Sequence, residues 1–287
     1  MNKLGVIMHL TNLHTHTVYC DGKNTTEEMI QSAINNNFYS IGISTHGPVN
    51  FITDWNIQKY KVKKYIAEVL FLKEKYKDKI DVLLGMELDY IPEVGFDEFT
   101  QELIKRLDYY IGSVHFLGVL CDKTMWTVDY KLEELVKGVN ENFNGDVKYA
   151  VETYYSLISE MAEKFQPPII GHLDLIKKFN NKNILFDEGE DWYISIVDKC
   201  LSTIKKSKSV IEINTGGISR GYSEEQYPST FILKKIKEKN IPITINSDAH
   251  TVEGINCKFV EMYELVKSLG FEDISCMKKN GWTKNQI

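Results

Sequence analysis

Short apolar runs alternate with longer amphipathic segments along most of this chain. Residues 40–45 and 210–214 are rich in strand-forming side chains, whereas residues 58–76 place apolar side chains at helical spacing between lysines. The remaining predicted strands cover residues 12–17, 81–88, 109–114, 169–171 and 243–246. A regular alternation of strand and helix indicates an α/β fold with parallel strands.

Local signals mark where some of these elements begin and end. Thr25–Glu28 has the form of a capping box, and the apolar residues of one helix face follow between Met29 and Ile34. A longer segment over residues 129–165 is predicted to be mostly helical. Pro167–Pro168 then breaks the chain before the short strand that follows. The pattern therefore predicts repeated βα units.

Six of the seven histidines stand where a predicted strand gives way to a loop. His14 and His16 are two residues apart, so in a strand their imidazoles point to the same side and can bind one ion. His9 is the exception, and we expect it to be a structural or tail residue. With three carboxylates in similar positions, the candidate ligands are His14, His16, Asp21, His46, Glu87, His115, His172, Asp248 and His250. This repeated context favours a multinuclear metallohydrolase over a set of unrelated core histidines.

The placement of these residues also bears on the architecture. In a (β/α) barrel the loops after the parallel strands build the active site on one face. A doubly wound open sheet is the alternative, but it gathers ligands from only two or three neighbouring strand ends at its switch point. Seven contributing segments therefore favour a closed or nearly closed barrel.

Composition and charge exclude several classes of protein. With 43% hydrophobic and 26% charged residues, the 287-residue chain can bury a sizeable core, and we expect a single domain over residues 1–287. The net charge of −6 argues against nucleic acid as a partner. A secretory signal or membrane span is not expected. The cysteines are odd in number and lack a Cys-x-x-Cys pair, which fits free thiols in a reducing cytoplasm: Cys20, Cys121, Cys200, Cys257 and Cys276.

The motifs around the candidate ligands resemble those of the PHP (polymerase and histidinol phosphatase) superfamily. They read His-x-His-x(4)-Asp-Gly, Ser-Thr-His-Gly, Gly-Met-Glu, Ser-Val-His, Gly-His and Ser-Asp-Ala-His, from about Asn12 to Leu269. The segment Glu212–Arg220, continuing to Tyr227–Ser229, is similar to the histidinol-phosphatase branch rather than to the polymerase-associated domains. The resemblance implies a distorted seven-stranded, TIM-like (β/α)7 barrel and a centre of three divalent transition-metal ions.

The resemblance also implies how the ligands are shared. By motif they divide into a first set of His14, His16, Glu87 and Asp248, a second of Glu87, His115 and His172, and a third of Asp21, His46 and His250. Asp21 either binds an ion or orients a ligand from outside, because some relatives place a histidine near this point. Mixed imidazole and carboxylate ligands suit zinc, manganese or iron.

The charge of such a centre favours a phosphate ester. Three divalent ions against the carboxylates of Asp21, Glu87 and Asp248 leave an excess of about three positive charges. Arg220 follows a Gly-Gly loop and is our candidate phosphate clamp, with a surface salt bridge as the alternative. Either Asp248 or a water molecule on a metal protonates the leaving alkoxide, and the sequence leaves both open.

These features together predict a histidinol-phosphate phosphatase of histidine biosynthesis, acting on a small phosphate monoester. A selective pocket would need acidic or aromatic groups for the cationic end of that substrate. The expected substrate contacts are Arg220, His46, Phe116, Asp174 and Tyr222, with Asp89 and Tyr90 as further candidates. The alternatives are another phosphoesterase or exonuclease of the same superfamily and a non-catalytic metal-binding scaffold.

Overall fold

The computed structural model describes residues 10–287, so the prediction for His9 falls outside it. The strands are β1 (Thr11–Asn12), β2 (Ser40–Ile43), β3 (Asp81–Leu84), β4 (Glu87–Asp89), β5 (Ile111–Ser113), β6 (Phe116–Val119), β7 (Met125–Thr127), β8 (Ile169–Ile170), β9 (Val210–Asn214), β10 (Ile243–Asn246), β11 (Asp273–Lys278) and β12 (Gly281–Gln286). The helices are α1 (Thr26–Asn35), α2 (Val62–Tyr76), α3 (Glu98–Ile104), α4 (Leu132–Phe143), α5 (Val147–Phe165), α6 (Asp191–Ser207), α7 (Gly216–Ser219), α8 (Thr230–Glu238) and α9 (Phe259–Ser268). The predicted α/β class is confirmed.

The parallel strands form two sheets. One has the order β1-β2-β3 and the other the order β10-β9-β8-β5-β4. The predicted strand 81–88 divides at Gly85 and Met86, because β3 pairs with β2 and β4 pairs with β5. Single parallel bridges join Thr15 to Ala249 and His46 to Glu87. The α/β architecture is therefore clear, whereas a continuous closed barrel sheet is not formed by these short strands.

Several predicted boundaries shift for local reasons. The capping box at Thr25–Glu28 is present and starts α1. Helix α2 begins at Val62 rather than at residue 58, because a 3-10 turn over Lys59–Lys61 precedes it. The long helical segment 129–165 is split between α4 and α5, where Asn144 takes a left-handed conformation that ends α4. The hairpins β6–β7 and β11–β12 were not predicted from the pattern.

An apolar cluster fills the interior on the amino-terminal side of the strands. Its members come from several strands and from the hairpin β11–β12: Leu13, Leu83, Tyr109, Ile111, Ile169 and Met277. The Tyr109 hydroxyl donates to the carbonyl of Leu13 at 2.5 Å. The Ser40 hydroxyl, at the start of β2, donates to the carbonyl of Met277 at 2.6 Å. The hairpin therefore covers the end of the sheets that lies opposite the predicted ligands.

The outer faces of the strands are packed against helices. Buried residues of α1, α2, α5, α6, α8 and α9 join the strands in one large hydrophobic cluster. Within residues 10–287, no helix is long and apolar enough to cross a membrane.

A glycine in β2 tests the tightness of the inner cluster. A Cβ atom on Gly42 would lie 1.9 Å from the Tyr109 hydroxyl oxygen and 2.6 Å from the adjoining ring carbon. We expect Gly42→Ala to lower the free energy of unfolding by about 1–3 kcal/mol, because Tyr109 is buried and cannot move without breaking its bond to Leu13. Chemical denaturation measures this.

Gly189→Ala is the control. Its Cβ would meet only the Asp187 carboxylate, at 3.2 Å or more, on the surface. Equal stability of the two variants would contradict the packing described for Tyr109.

Candidate metal centre

The predicted ligands meet around one buried carboxylate, Glu87. Its Oε2 atom lies 3.1 Å from His14 Nε2 and 3.0 Å from His46 Nδ1. Its Oε1 atom lies 2.8 Å from His172 Nε2 and 3.6 Å from His115 Nε2. Both carboxylate oxygens are thus shared between imidazoles, which is the arrangement expected of a bridging ligand.

The other ligands extend the cluster on the side of His16. His16 Nε2 lies 3.0 Å from Asp248 Oδ1, and the His16 ring stacks on that of His250 with 4.1 Å between centroids. Asp21 is partly exposed, 3.2 Å from His250 Nε2 and 3.8 Å from His46 Nε2. All nine residues predicted from the sequence are therefore brought together.

Three groups within this cluster have ligand atoms close enough to hold an ion. They are His14, His16 and Asp248; His46, Glu87 and His115; and His16, Asp21, His46 and His250. The first and last agree with two of the implied sets, except that Glu87 is left out of the first and His16 is added to the last. The middle group includes His46 where the resemblance implies His172, although His172 contacts Glu87 Oε1, the oxygen that His115 also faces.

Backbone hydrogen bonds here pair the segment around His16 with the segment around Ala249, far apart in the sequence. The His16 amide donates to the carbonyl of Ala249 at 2.8 Å, and the Ala249 amide donates to that of His14. Asp248 adopts a left-handed conformation with φ of 50°, which is uncommon for a residue other than glycine. This backbone conformation directs the Asp248 side chain toward His14 and His16.

Several buried polar atoms of the cluster have no partner with the angles of a hydrogen bond, although three of them lie 3.0 or 3.1 Å from a carboxylate oxygen. They are His14 Nε2, His16 Nε2, Asp21 Oδ1, His46 Nδ1 and His172 Nδ1. Buried polar atoms in proteins nearly always have partners, so such a group requires an explanation. Cations would satisfy the atoms that face the cluster, and this donor set of imidazoles and carboxylates fits zinc, manganese or iron.

Burial and nearby charged groups shift the pKa values of neighbouring imidazoles in opposite directions. Burial together with the nearby His250 and His46 lowers the pKa of His16 to about 3. Burial alone would lower the pKa of His14, but Glu212, Glu87 and Asp248 raise it well above its ordinary value. His16 is therefore neutral near pH 7, the form in which an imidazole can bind a metal.

Two buried carboxylates lie behind the cluster and hold its imidazoles from outside. Glu212 Oε2 lies 2.9 Å from His14 Nδ1, and Asp89 Oδ1 lies 2.6 Å from His115 Nδ1. The other oxygen of Asp89 accepts from the amide of Asn56 at 3.0 Å. Sequence reasoning gave Glu212 no role and treated Asp89 as a pocket residue. A charged residue inside the apolar run Val-Ile-Glu-Ile was the available signal.

A cavity of about 360 Å³ opens above the cluster. Besides seven of the candidate ligands, its lining includes acidic, aromatic and basic side chains, among them Asp54, Trp55, Asp129, Tyr130, Lys178, Arg220 and Tyr222. Trp55 stacks on Tyr130 with 6.1 Å between ring centroids. Lys178 lies over the ring of Tyr222 at 4.4 Å and 3.6 Å from Asp129 Oδ2. The cavity thus offers groups of both charges.

Arg220 joins the cavity to the cluster. Its Nη2 atom donates to Asp248 Oδ2 at 3.0 Å, and its Nη1 atom lies 2.7 Å from His250 Nδ1. Burial would raise the pKa of Asp248, but Arg220 and His14 hold it well below its usual range. The guanidinium is therefore placed beside the candidate ligands rather than in a separate surface salt bridge.

Two of the five expected substrate contacts do not line this cavity, and neither do the further candidates Asp89 and Tyr90, which are buried. Phe116 is buried beneath the stacked ring of Trp55, 5.8 Å between centroids. Asp174 is fully buried, where it accepts a hydrogen bond from the Ser229 amide at 2.8 Å. Neither side chain is free to contact a ligand, whereas the predicted contacts His46, Arg220 and Tyr222 do line the cavity.

Comparison with known proteins finds relatives that are named as histidinol-phosphatases. A histidinol-phosphatase of Bacillus subtilis (strain 168) is 29% identical over 275 residues, which cover 88% of this chain and 97% of the relative. In fold, the chain is similar to a Listeria monocytogenes protein assigned as a histidinol phosphatase, with a TM-score of 0.77, 24% identity, and coverage of 88% and 99%.

A second structure of similar fold is the histidinol phosphate phosphatase of Lactococcus lactis subsp. lactis in complex with zinc, L-histidinol and phosphate. It has a TM-score of 0.73 and 20% identity, with 96% of this chain and 99% of that chain covered. The family model of the PHP domain matches residues 12–216 and confirms the resemblance seen in the motifs. The chain therefore belongs to the PHP domain family.

Proposed function

We propose that this protein is a metal-dependent histidinol-phosphate phosphatase. The observation that carries the proposal is the cluster of nine candidate imidazole and carboxylate ligands beneath a cavity that also holds Arg220 and acidic and aromatic side chains. The relative in Bacillus subtilis is named for this activity and is similar over nearly its whole length. A structural neighbour binds zinc, histidinol and phosphate, the metal and the two products of such a reaction.

The nine ligands are proposed to hold three divalent ions of zinc, manganese or iron. Glu87 would bridge, since each of its oxygens faces imidazoles of a different part of the cluster. Bound ions of this kind supply positive charge for the phosphoryl oxygens and lower the pKa of water. The same neighbour's zinc supports a metal-dependent reaction.

Arg220 and Asp248 have distinct proposed roles beside the ions. The guanidinium of Arg220 carries five donors and can direct two of them to phosphate oxygens while it stays close to Asp248. Asp248 is ionised near neutral pH, because Arg220 and His14 favour its charged form. Of the two alternatives left open by the sequence, we therefore favour water as the proton donor to the leaving alkoxide, with Asp248 as a ligand and acceptor.

The cationic end of histidinol phosphate is proposed to bind at Asp54, Trp55, Asp129 and Tyr130. The stacked pair of Trp55 and Tyr130 offers aromatic faces to an imidazole or ammonium group. Asp54 is an exposed carboxylate on the same cavity. These residues replace Phe116 and Asp174, whose burial removes them from the cavity wall.

We further propose that the chain forms one domain with a distorted seven-stranded barrel. The bridges from Thr15 to Ala249 and from His46 to Glu87 support this closure, because each connects the chain just beyond a strand of the first sheet to a strand end or to the chain just beyond a strand of the second sheet. The core would extend over residues 12–269, with the hairpin β11–β12 covering the amino-terminal end.

The first test of the proposed function is substrate choice. We expect kcat/KM for histidinol phosphate to exceed that for an aryl phosphate, because binding of the cationic end positions the phosphoryl group. Asp54→Asn should lower the first value more than the second. Steady-state kinetics with a phosphodiester and single-stranded DNA included would measure this.

Asp78→Asn is the matched control, since it removes the same charge from the exposed loop before β3, at the opposite end of the strands. Equal or reversed preference of the wild-type enzyme would indicate a general phosphatase. Cleavage of DNA ends would move the protein to the exonuclease alternative.

The second test concerns the ligands. His16→Ala should lose bound divalent metal and activity together, because His16 is fully buried and its Nε2 atom faces Asp248. Elemental analysis and turnover measure the two effects. Cys20→Ser should keep its metal, although the thiol lies 3.5 Å from His16 Nδ1. Near-normal turnover of metal-replete His16→Ala enzyme would contradict the assignment.

The third test separates Arg220 from the ligands. Arg220→Ala should lower kcat/KM, and the decrease should correspond to a loss of about 2 kcal/mol or more of transition-state binding. The metal content should stay unchanged. Arg220→Lys keeps the charge and loses the planar fork, so its kcat/KM should lie between those of the wild type and Arg220→Ala. Loss of metal in the alanine variant would show that Arg220 acts on the centre through Asp248 and His250 instead.

A further inference from the structure

Glu212 is a fully buried carboxylate on which hydrogen-bond donors from four separate segments converge. Oε1 accepts from the His172 amide at 2.8 Å and from Asn214 Nδ2 at 2.8 Å. Oε2 accepts from Asn246 Nδ2 at 2.9 Å and lies 2.9 Å from His14 Nδ1. The side chain is 0% exposed and does not line the cavity. It touches none of the atoms at which substrate would react.

Three of these four donors have no freedom to reverse their role. The His172 donor is a backbone amide. The amide of Asn214 is oriented by Gly216 N, which donates to its Oδ1 at 2.8 Å. The amide of Asn246 is oriented by Leu13 N, which donates to its Oδ1 at 2.8 Å. The three fixed donors therefore require an acceptor at Glu212. Of the four partners, His14 is the one that can change its tautomer.

We propose that Glu212 is a positioning residue that keeps the proton of His14 on Nδ1, so that the Nε2 lone pair is presented to a metal ion together with His16 and Asp248. This inference rests on the proposed metal-dependent function. His14 Nε2 makes no hydrogen bond and lies 3.1 Å from Glu87 Oε2, on the side of the ligand cluster. A carboxylate behind a ligating imidazole fixes both its tautomer and the orientation of its ring.

Glutamine at this position would be nearly the same size but the wrong chemical partner. One of its two terminal atoms would be an amino group, which would face either the oriented amide of Asn246 or the donors at Asn214 and His172. Donors would then oppose donors in a site closed to water. At the position of Oε2 the amino group would also face His14 Nδ1, and a change of tautomer at His14, the adjustable member of the set, would then place its proton toward the ligand cluster.

The experiment compares metal affinity of wild-type, Glu212→Gln and Thr244→Val proteins. Thr244 is the matched control, because it is buried on β10, paired in register with Glu212, and its hydroxyl makes no hydrogen bond. Each full-length protein is stripped of metal and titrated with zinc against a competing chelator. We expect the affinity of the tightest-bound ion in Glu212→Gln to fall by about 10- to 100-fold, and that in Thr244→Val to stay near the wild-type value.

A spectroscopic measurement on the wild-type protein supplies an independent readout. Long-range ¹H–¹⁵N correlation spectra of the zinc-loaded enzyme should show the His14 proton on Nδ1 and the metal on Nε2. This readout does not depend on activity or on a variant that folds. Glu212→Asp, which keeps an acceptor on a shorter side chain, should bind zinc with an affinity between the wild type and Glu212→Gln.

The outcomes distinguish a failure of the role of Glu212 from a failure of the proposed function. A wild-type protein that binds no divalent ion would overturn the proposed function. A wild-type protein that binds ions, with unchanged affinity in Glu212→Gln or with the His14 proton on Nε2, would overturn the role of Glu212 alone. If Glu212→Gln does not fold, the spectra of the wild type and the affinity of Glu212→Asp decide the question.

Discussion

Mutual neutralisation of buried charge is the constraint on which the rest of this structure depends. Glu87 is almost fully buried among five imidazoles, and burial alone would raise its pKa, but His14, His46 and His115 hold it well below its ordinary value. A carboxylate or an imidazole left without such partners would carry a large desolvation penalty. These buried imidazoles and carboxylates therefore stabilise one another only when they are together. The parallel strands that carry them have to end at one place.

The supporting groups are arranged in successive layers behind that set. The outer carboxylates Glu212 and Asp89 contact the far sides of His14 and His115. Amide side chains then orient those carboxylates, and backbone amides in turn orient Asn214 and Asn246. Each layer has fewer ways to rearrange than the one in front of it. The centre is thus fixed from the backbone outward, which suits a site that is proposed to receive several cations in defined positions.

The sequence was most informative where function depends on residue type and spacing. All nine residues that meet in the cluster were picked out from it, and β9 and β10 begin and end at the predicted residues. Side-chain burial was harder to predict, since Phe116 and Asp174 follow ligands in the chain but turn into the core. Glu212 was missed as a contact of His14 because the two are 198 residues apart, and only the folded chain brings them within 3 Å. The strand 81–88 divided because its pairing partner changes along its length.

The contact between Asn56 and Asp89 matters for any attempt to redesign substrate range. Asn56 follows Asp54 and Trp55 in the loop after β2, and its amide donates both to Gly47 O at 2.7 Å and to the carboxylate that holds His115. Libraries that randomise this loop, which we propose to face the amine of the substrate, would also alter the support of His115, a proposed metal ligand. Inactive clones would then include proteins with a suitable pocket and a damaged centre. Selection for new substrates should keep Asn56 constant and vary its neighbours.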